Sequence, residues 1–246
     1  TGPGTNTWIL DSDGDVVIVD PGEIIASHAE RIIDEVGDRT VRGVLVTHTH
    51  IDHAPLANPL SSDLDVAAIG YAPGPMFEPD ERVGEGDTLG FGSETLTVLH
   101  TPGHADDHLC FVVGTEMFTG DHIMGGSTVM IQDLSAYMRQ LERMRDIALT
   151  RLFPGHGPTV ENPHEVIDHY IDHRIEREEQ ILGAIRAGKG TVGDIVQLVY
   201  SDVDTELHPL AAFSVGAHVR KLVDDGKVDF SETEDLWDGI VRLITA

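Results

Sequence analysis

Thr47-His48-Thr49-His50-Ile51-Asp52-His53 follows directly on the apolar run Val44-Leu45-Val46. Imidazole nitrogen and carboxylate oxygen are the donors that zinc, iron and manganese accept. The end of a buried strand is a rigid base from which to project them. Histidine is common in this chain, 14 of 246 residues, so one His-rich loop is a weak signal by itself. The signal strengthens downstream. His104, Asp121 and His156 each sit in a glycine-marked loop after a strand-like run: Thr101-Pro102-Gly103-His104, Thr119-Gly120-Asp121-His122 and Pro154-Gly155-His156-Gly157.

Working outward, residues 6–10 and 16–19 read as strands joined by an Asp13-Gly14 turn. Residues 27–36 carry a helical stripe of Ala29, Ile32, Ile33 and Val36, with Gly37 just beyond it. Residues 41–46 read as a strand buried on both faces, and 63–69 as another. Further strands are expected at 88–91, 95–100, 108–113, 116–118 and 151–153, with a helix over 135–147. Strands interspersed with helices imply a layered α/β body.

From residue 164 the chain becomes helical and strongly charged. A long helix over 164–187 is followed by helices at 192–200 and 209–224 and two short strands at 228–230 and 240–244, with Asp238-Gly239 as their turn. Thr191 is a cap for the second of these helices. Two helices and a strand pair resemble a small winged-helix unit. The expected division is an α/β domain carrying the four loops over 1–163 and a helical, winged-helix-like domain over 164–246.

The four loops together offer His48, His50, Asp52, His53, His104, Asp121 and His156. One ion takes three or four protein ligands, so seven suit two ions. Residues two apart on an extended segment point the same way. His48 and His50 can therefore share one ion with His104, while Asp52 and His53 reach a second with His156. Asp121 has two oxygens and can bridge. Two cations bring the pKa of a bridging water towards neutrality, which makes a nucleophile beside a Lewis acid. Asp52 and Asp121 are the carboxylates that would serve catalysis, as ligands and as proton relays. Zinc is the expected metal, with iron and manganese as alternatives.

At this point the chain resembles a known family. His48-Thr49-His50-Ile51-Asp52-His53 is similar to the HxHxDH motif of the metallo-β-lactamase superfamily, and His104, Asp121 and His156 match its remaining ligand motifs in order. The resemblance implies an αββα sandwich with the metals at one edge, and it extends over residues 5 to 160. Thr101 to His108, Phe118 to Asp121 and His173-Arg174-Ile175-Glu176-Arg177-Glu178 look like the lactamase-β-like protein 2 branch, which implies a C-terminal winged-helix-like domain. Members of that branch include single-stranded RNA nucleases, and close relatives are thioesterases on carrier-bound acyl chains. An aspartate at position 121, where the best-known β-lactamases have cysteine, argues against antibiotic hydrolysis as the main activity.

Other polar residues are candidates for substrate contact or for support of the ligands. His122 directly follows Asp121. Asp107, His108 and Asp20 are candidates to hydrogen-bond a ligand imidazole. His173 and Arg174 are candidates to line the cleft, with an intrahelical ion-pair network as the plainer alternative.

Composition narrows the partners. Sixteen basic residues against 43 acidic ones give a net charge of −27, which repels polyanions. Residues 164–246 hold 8 basic and 17 acidic residues, a net of −9, which argues against DNA binding by the tail. Narrowing of the active-site mouth or a homodimer contact is the plainer role for it. Cys110 is the only cysteine, so no intrachain disulfide can form, which suits the cytoplasm. No apolar run approaches the length of a membrane span. Thr1 opens the chain in place of a methionine, so nothing upstream is excluded.

The reading is a dinuclear metal-dependent hydrolase whose bridging hydroxide attacks an ester, thioester, lactone or related acyl substrate. The alternatives are single-stranded RNA cleavage, β-lactam hydrolysis as a minor activity, and a non-catalytic regulator acting through the tail.

Overall fold

A computed structural model describes residues 4–126 and 128–244. In chain order the elements are β1 (Trp8–Ser12), β2 (Asp15–Val19), α1 (Ala26–Val36), β3 (Thr40–Leu45), α2 (Ala57–Leu64), β4 (Ala68–Gly70), β5 (Glu81–Arg82), β6 (Thr88–Phe91), β7 (Glu94–His100), β8 (Leu109–Val113), β9 (Glu116–Gly120), α3 (Leu134–Arg145), β10 (Arg151–Pro154), α4 (Pro163–Arg186), α5 (Val192–Val199), α6 (His208–Asp224), β11 (Val228–Ser231) and β12 (Ile240–Leu243). They form two compact units: Thr1–Val129 with Asp146–Val166, and Met130–Arg145 with Ile167–Ala246.

Among the described residues, the first unit holds two five-stranded sheets, ordered β1-β2-β3-β4-β5 and β10-β9-β8-β7-β6. Side chains alternate along β2 and β3. Val16, Ile18, Val44 and Val46 pack with Ile32 and Val36 of α1 and Leu60 of α2. Val17, Val19 and Leu45 face the other way and meet Leu96, Val98, Leu109 and Phe111 of the second sheet. Burial on both faces explains why residues 16–19 and 44–46 are continuously apolar. At roughly 1.5–3 kcal/mol per fully buried aliphatic or aromatic side chain, this two-sided core dominates the favourable side of folding. The Asp13-Gly14 turn is tight, with both residues at positive φ, as a two-residue hairpin requires.

Three sequence expectations fail here. Residues 63–69 are not one strand. Asp63 and Leu64 end helix α2, Asp65 caps it in the left-handed region, and only Ala68–Gly70 pairs with β3. Pro59 falls in the first turn of α2, where a missing N–H costs nothing. Asn6 precedes β1 because its amide groups are committed elsewhere. The turn between the last two strands is not a simple Asp238-Gly239 corner. Residues 232–239 include a 3-10 turn at Leu236–Asp238, where Asp235 accepts from the Trp237 N–H at 3.0 Å.

The second unit has its own core, built from Ile181 and Ile185 of α4, Val192 and Ile195 of α5, Val215, Val219 and Leu222 of α6, and Val228 and Val241 of the strand pair. Thr191 caps α5 by accepting from the Asp194 N–H. Helix α3 belongs to this unit. Ser135 donates to Asp224 of α6 at 3.0 Å, and Arg145 pairs with Asp168 of α4 at 2.8 Å. No described helix is long and apolar enough to cross a membrane.

Candidate metal centre

The sheet order brings the four loops together. The parallel pairing of β9 and β10 sets Asp121 and His156 just beyond adjacent strand ends. The antiparallel β7–β8 and β8–β9 pairs bring the loop carrying His104 to the same end. The Leu109 N–H donates to the Thr47 carbonyl at 2.7 Å, which fastens the start of β8 to the His-rich loop after β3. Asn6 ties down the fourth loop. Its backbone N–H donates to the Gly155 carbonyl at 2.7 Å, and its side chain to Pro154 and Gly157 carbonyls at 3.0 and 2.8 Å.

Two groups of donor atoms result. His50 Nδ1 lies 2.8 Å from His48 Nε2 and 3.0 Å from His104 Nε2. In the other group, His156 Nε2 lies 3.3 Å from Asp52 Oδ2, and His53 Nε2 lies 4.0 Å from Asp52 Oδ1. Asp121 straddles the two. Its Oδ2 is 3.7 Å from His104 Nε2, while its Oδ1 is 3.4 Å from His53 Nε2 and 3.5 Å from His156 Nε2. The sets His48–His50–His104, His48–His53–Asp121 and Asp52–His53–His156 each converge closely enough to hold an ion.

The atoms turned inward fit a cation. Asp52 Oδ2, His53 Nε2, Asp121 Oδ1 and His156 Nε2 are buried without a hydrogen bond. Orphaned buried polar atoms cost on the order of 1–3 kcal/mol each, so four in one place call for a common partner. The opposite edges of these groups are well served. Asp20 is buried and accepts from the Thr47 N–H at 2.8 Å and the Thr47 hydroxyl at 2.7 Å, and its Oδ2 lies 2.9 Å from His53 Nδ1. Because the Thr47 hydroxyl donates to Asp20, it accepts from His48 Nδ1–H at 3.0 Å. The Nε2 lone pair of His48 is thereby left facing the centre. His156 Nδ1 is likewise bonded to the Gly4 carbonyl at 3.0 Å.

Charge follows the same logic. Burial works to lower the His53 pKa, but Asp20 and Asp121 outweigh it and raise it to about 10. Burial works to raise the Asp121 pKa, and contacts with His156 and His53 overcome it and hold the carboxyl far below its ordinary range. His156 is raised by Asp121 against the effect of burial. The carboxylates draw positive charge inward, and a metal ion supplies it in place of protons. On the other side, burial and the neighbouring His53 keep His48 neutral, as a nitrogen ligand must be.

The outer candidates fall into distinct places. His108 accepts from the Asp121 backbone N–H at its Nε2, 3.1 Å away, so its Nδ1–H donates to Thr101 Oγ1 at 2.8 Å. Burial depresses its pKa and keeps it neutral. Asp107 accepts from the Thr49 N–H at 2.9 Å. His122 is fully buried, and burial together with His104 lowers its pKa to about 3. His173 and Arg174 lie on α4 in the second unit, where Arg174 is buried with its guanidinium 5.9 Å from the Tyr137 ring centre. Sequence reasoning missed Asn6, Thr47 and Thr101, for which no local pattern exists. Two glycines are dictated by crowding. A Cβ at Gly155 would sit 2.7 Å from His53 and 2.8 Å from Asp121, and one at Gly120 would sit 2.7 Å from the Thr47 hydroxyl.

The family model described as the metallo-beta-lactamase superfamily matches residues 1–156, and that of the beta-lactamase associated winged helix domain matches residues 191–237. The chain belongs to the metallo-β-lactamase superfamily. It is 32% identical to a beta-lactamase-like protein 2 homolog of Drosophila melanogaster, over 94% of this chain and 86% of that one. It is 30% identical to an atrochrysone carboxyl ACP thioesterase of Aspergillus chevalieri, over 97% and 80%. A beta-lactamase domain protein from Burkholderia ambifaria superposes with a TM-score of 0.82 at 22% identity, covering 98% of this chain and 87% of that one. The protein is thus a hydrolase of this superfamily with a winged-helix domain, and its His/Asp cluster is a metal-binding one.

Proposed function

We propose that this superfamily member is a dinuclear hydrolase of acyl substrates, an ester, thioester or lactone, with zinc as its metal. The observation that carries the proposal is the Asp121 carboxylate, with one oxygen turned to His104 and the other to His53 and His156. His48, His50 and His104 form one ligand set, Asp52, His53 and His156 the other, and Asp121 serves both. When bound, two divalent ions supply Lewis acidity and lower the pKa of water.

The chain's own residues do the rest. Asp20 fixes the tautomer and ring orientation of His53 and anchors Thr47 beneath His48. His108 fixes Asp121 through its backbone N–H. Burial of His48, His53, His104 and His156 keeps bulk water from the ligands and strengthens every charge interaction among them. Asp52 relays a proton during turnover. Its side chain is 17% exposed, against 6% for Asp121, which supports that role.

An acyl substrate is favoured over RNA on two grounds. A relative aligned over nearly the whole chain is named as an acyl carrier thioesterase. A net charge of −27 also opposes the approach of a polyanion.

Metal analysis of the purified protein, joined to parallel assays on a thioester, a lactone, a cephalosporin and a single-stranded RNA, tests the proposal. About two ions per chain and chelator-sensitive thioester or lactone turnover are expected, with β-lactam hydrolysis minor at most. RNA cleavage without acyl turnover would sink the acyl assignment, and a single ion per chain would sink the dinuclear one.

A further inference from the structure

The segment Tyr71-Ala72-Pro73-Gly74-Pro75-Met76-Phe77 contains no charged residue, in a chain that is 24% charged. Tyr71, Pro73, Pro75 and Met76 are nevertheless exposed, Met76 by 62%. Gly74 and Phe77 exchange backbone hydrogen bonds at 3.0 and 3.2 Å, so Pro75 and Met76 form the corners of a tight turn. Met76 takes φ +61°. That is the second corner of a proline turn, where glycine is the usual occupant because a Cβ is disfavoured. A long apolar side chain is therefore held into solvent at a position whose backbone calls for glycine. Strain of this kind persists where the surroundings over-determine it, and it is a pointer to function.

The surroundings lead to the metal centre. Gly74 packs so closely on the Thr49 side chain that no Cβ fits between them, and Thr49 lies between His48 and His50. Tyr71 stacks on His100, rings parallel and 4.3 Å apart. His100 in turn is bonded to the Asp106 carbonyl at 2.8 Å, in the loop that carries His104. The base of the turn is pinned by Phe77, buried against Gly70. The segment thus spans two ligand loops. Ile51, 64% exposed, adds a second apolar side chain from within the His-rich stretch itself.

We propose that the 71–77 turn, led by Met76 and aided by Tyr71 and Ile51, is the specificity element of the metal centre and takes the apolar part of an acyl group. This rests on the acyl-hydrolase reading above. The occupant follows from charge. The segment offers no cation to a phosphate or carboxylate, and the adjoining Glu78 and Asp80 are acidic. Methionine is an adaptable apolar contact for a flexible chain.

The test compares acetyl and octanoyl thioesters of one thiol. Wild type is expected to prefer the octanoyl ester. In Met76→Gly the octanoyl-to-acetyl ratio of kcat/KM should fall on the order of tenfold, chiefly through KM. The thermal midpoint should stay unchanged or rise, because glycine suits the turn. Met76→Leu should keep the preference, as should Leu210→Ser, an exposed apolar site in the second unit. An unchanged ratio in Met76→Gly, a lowered thermal midpoint in it, or an equal drop in Leu210→Ser would overturn the proposal while leaving acyl hydrolysis intact. A wild type that hydrolyses neither thioester would instead bring down the acyl reading, and this proposal with it.

Discussion

His53 and His218 are both buried imidazoles, one in each unit, and their surroundings drive them in opposite directions. Around His53, burial is outweighed by Asp20 and Asp121, and the pKa rises to about 10. Around His218, burial prevails over the help of the Ser214 carbonyl, 2.8 Å from Nδ1, and the pKa falls to about 4. Burial of histidine is thus no mark of a metal site by itself. The mark is buried carboxylates behind and between the rings; an unpaired ring nitrogen is not enough, since His218 Nε2 is also buried without a hydrogen bond. His208 is a second case of the plain kind, its Nε2 near the Tyr200 and Val203 carbonyls at 3.3 Å with no carboxylate bonded to it.

The comparison is broken most severely at Asp121. Asp121→Ala removes the group shared by both ligand sets. It should cost more than the 10–100-fold typical of an outer partner, about 10³-fold or more in kcat/KM, with metal content falling below two ions per chain by elemental analysis. Full turnover in this variant would refute the dinuclear mechanism. Asp20→Ala comes next. It makes His53 resemble His218 by taking away a carboxylate, and it strands the Thr47 N–H. A 10–100-fold weaker hold on metal in a chelator titration is expected, together with a stability loss of about 1–3 kcal/mol from the unpaired buried donors. An Asp20→Ala protein that kept both metal affinity and stability would show that the carboxylates do not organise the rings.

Much of this contrast was legible in the chain, for a physical reason. His48 to His53 lie on one loop, so their spacing alone reports that they can converge. The downstream ligands His104, Asp121 and His156 each follow a strand and a glycine, and Gly120 and Gly155 are needed where backbone passes close to ligand side chains. The two-sheet core showed itself in the apolar runs over residues 16–19 and 44–46. What stayed hidden depends on partners distant in sequence. Asn6 holds residues more than 140 positions away, and nothing around Asn6 announces it. His122 reads as a substrate contact or a support for the ligands beside Asp121, and only packing shows that it lies wholly inside. Helix α2 was missed because its last residues, Asp63 and Leu64, read as the start of a strand over 63–69, although Leu60 supplies the buried anchor.

His218 sharpens the comparison through pH. Its folded pKa of about 4 lies below the ordinary value of 6.5. As pH falls from 6.5 towards 4 the unfolded chain binds the proton first, so stability is lost across that window and unaffected above it. By linkage the loss is about 1.4 kcal/mol at pH 5.5. His218→Gln keeps a polar side chain and cannot take up that proton. Denaturant unfolding at pH 7.5 and 5.5 should therefore show a smaller acid loss in the variant by about that amount. Equal acid losses in the two proteins would mean that another group sets the acid limit.

Glu178 is the reverse case, a carboxylate that already has its cations. Lys221 and Lys227 reach its two oxygens at 2.8 and 2.9 Å, and Lys227 also contacts Asp225 at 2.9 Å. Burial acts to raise the Glu178 pKa, and the two ammonium groups overcome it and lower the pKa overall. The neutralising charge here is covalently attached, so no ion is called for, unlike at Asp52 and Asp121. Lys227 is 42% exposed on its side chain, which weakens the pair through solvent screening. Lys227→Met should accordingly cost under about 1 kcal/mol. The difference from wild type should shrink further at high salt, because exposed pairs are screened within roughly 10 Å at 0.1 M. Metal content and turnover should be unchanged. A Lys227→Met protein that gained a bound ion would show that a bare carboxylate pair is enough to make a site, and that the imidazoles around Asp121 are not what sets the metal centre apart.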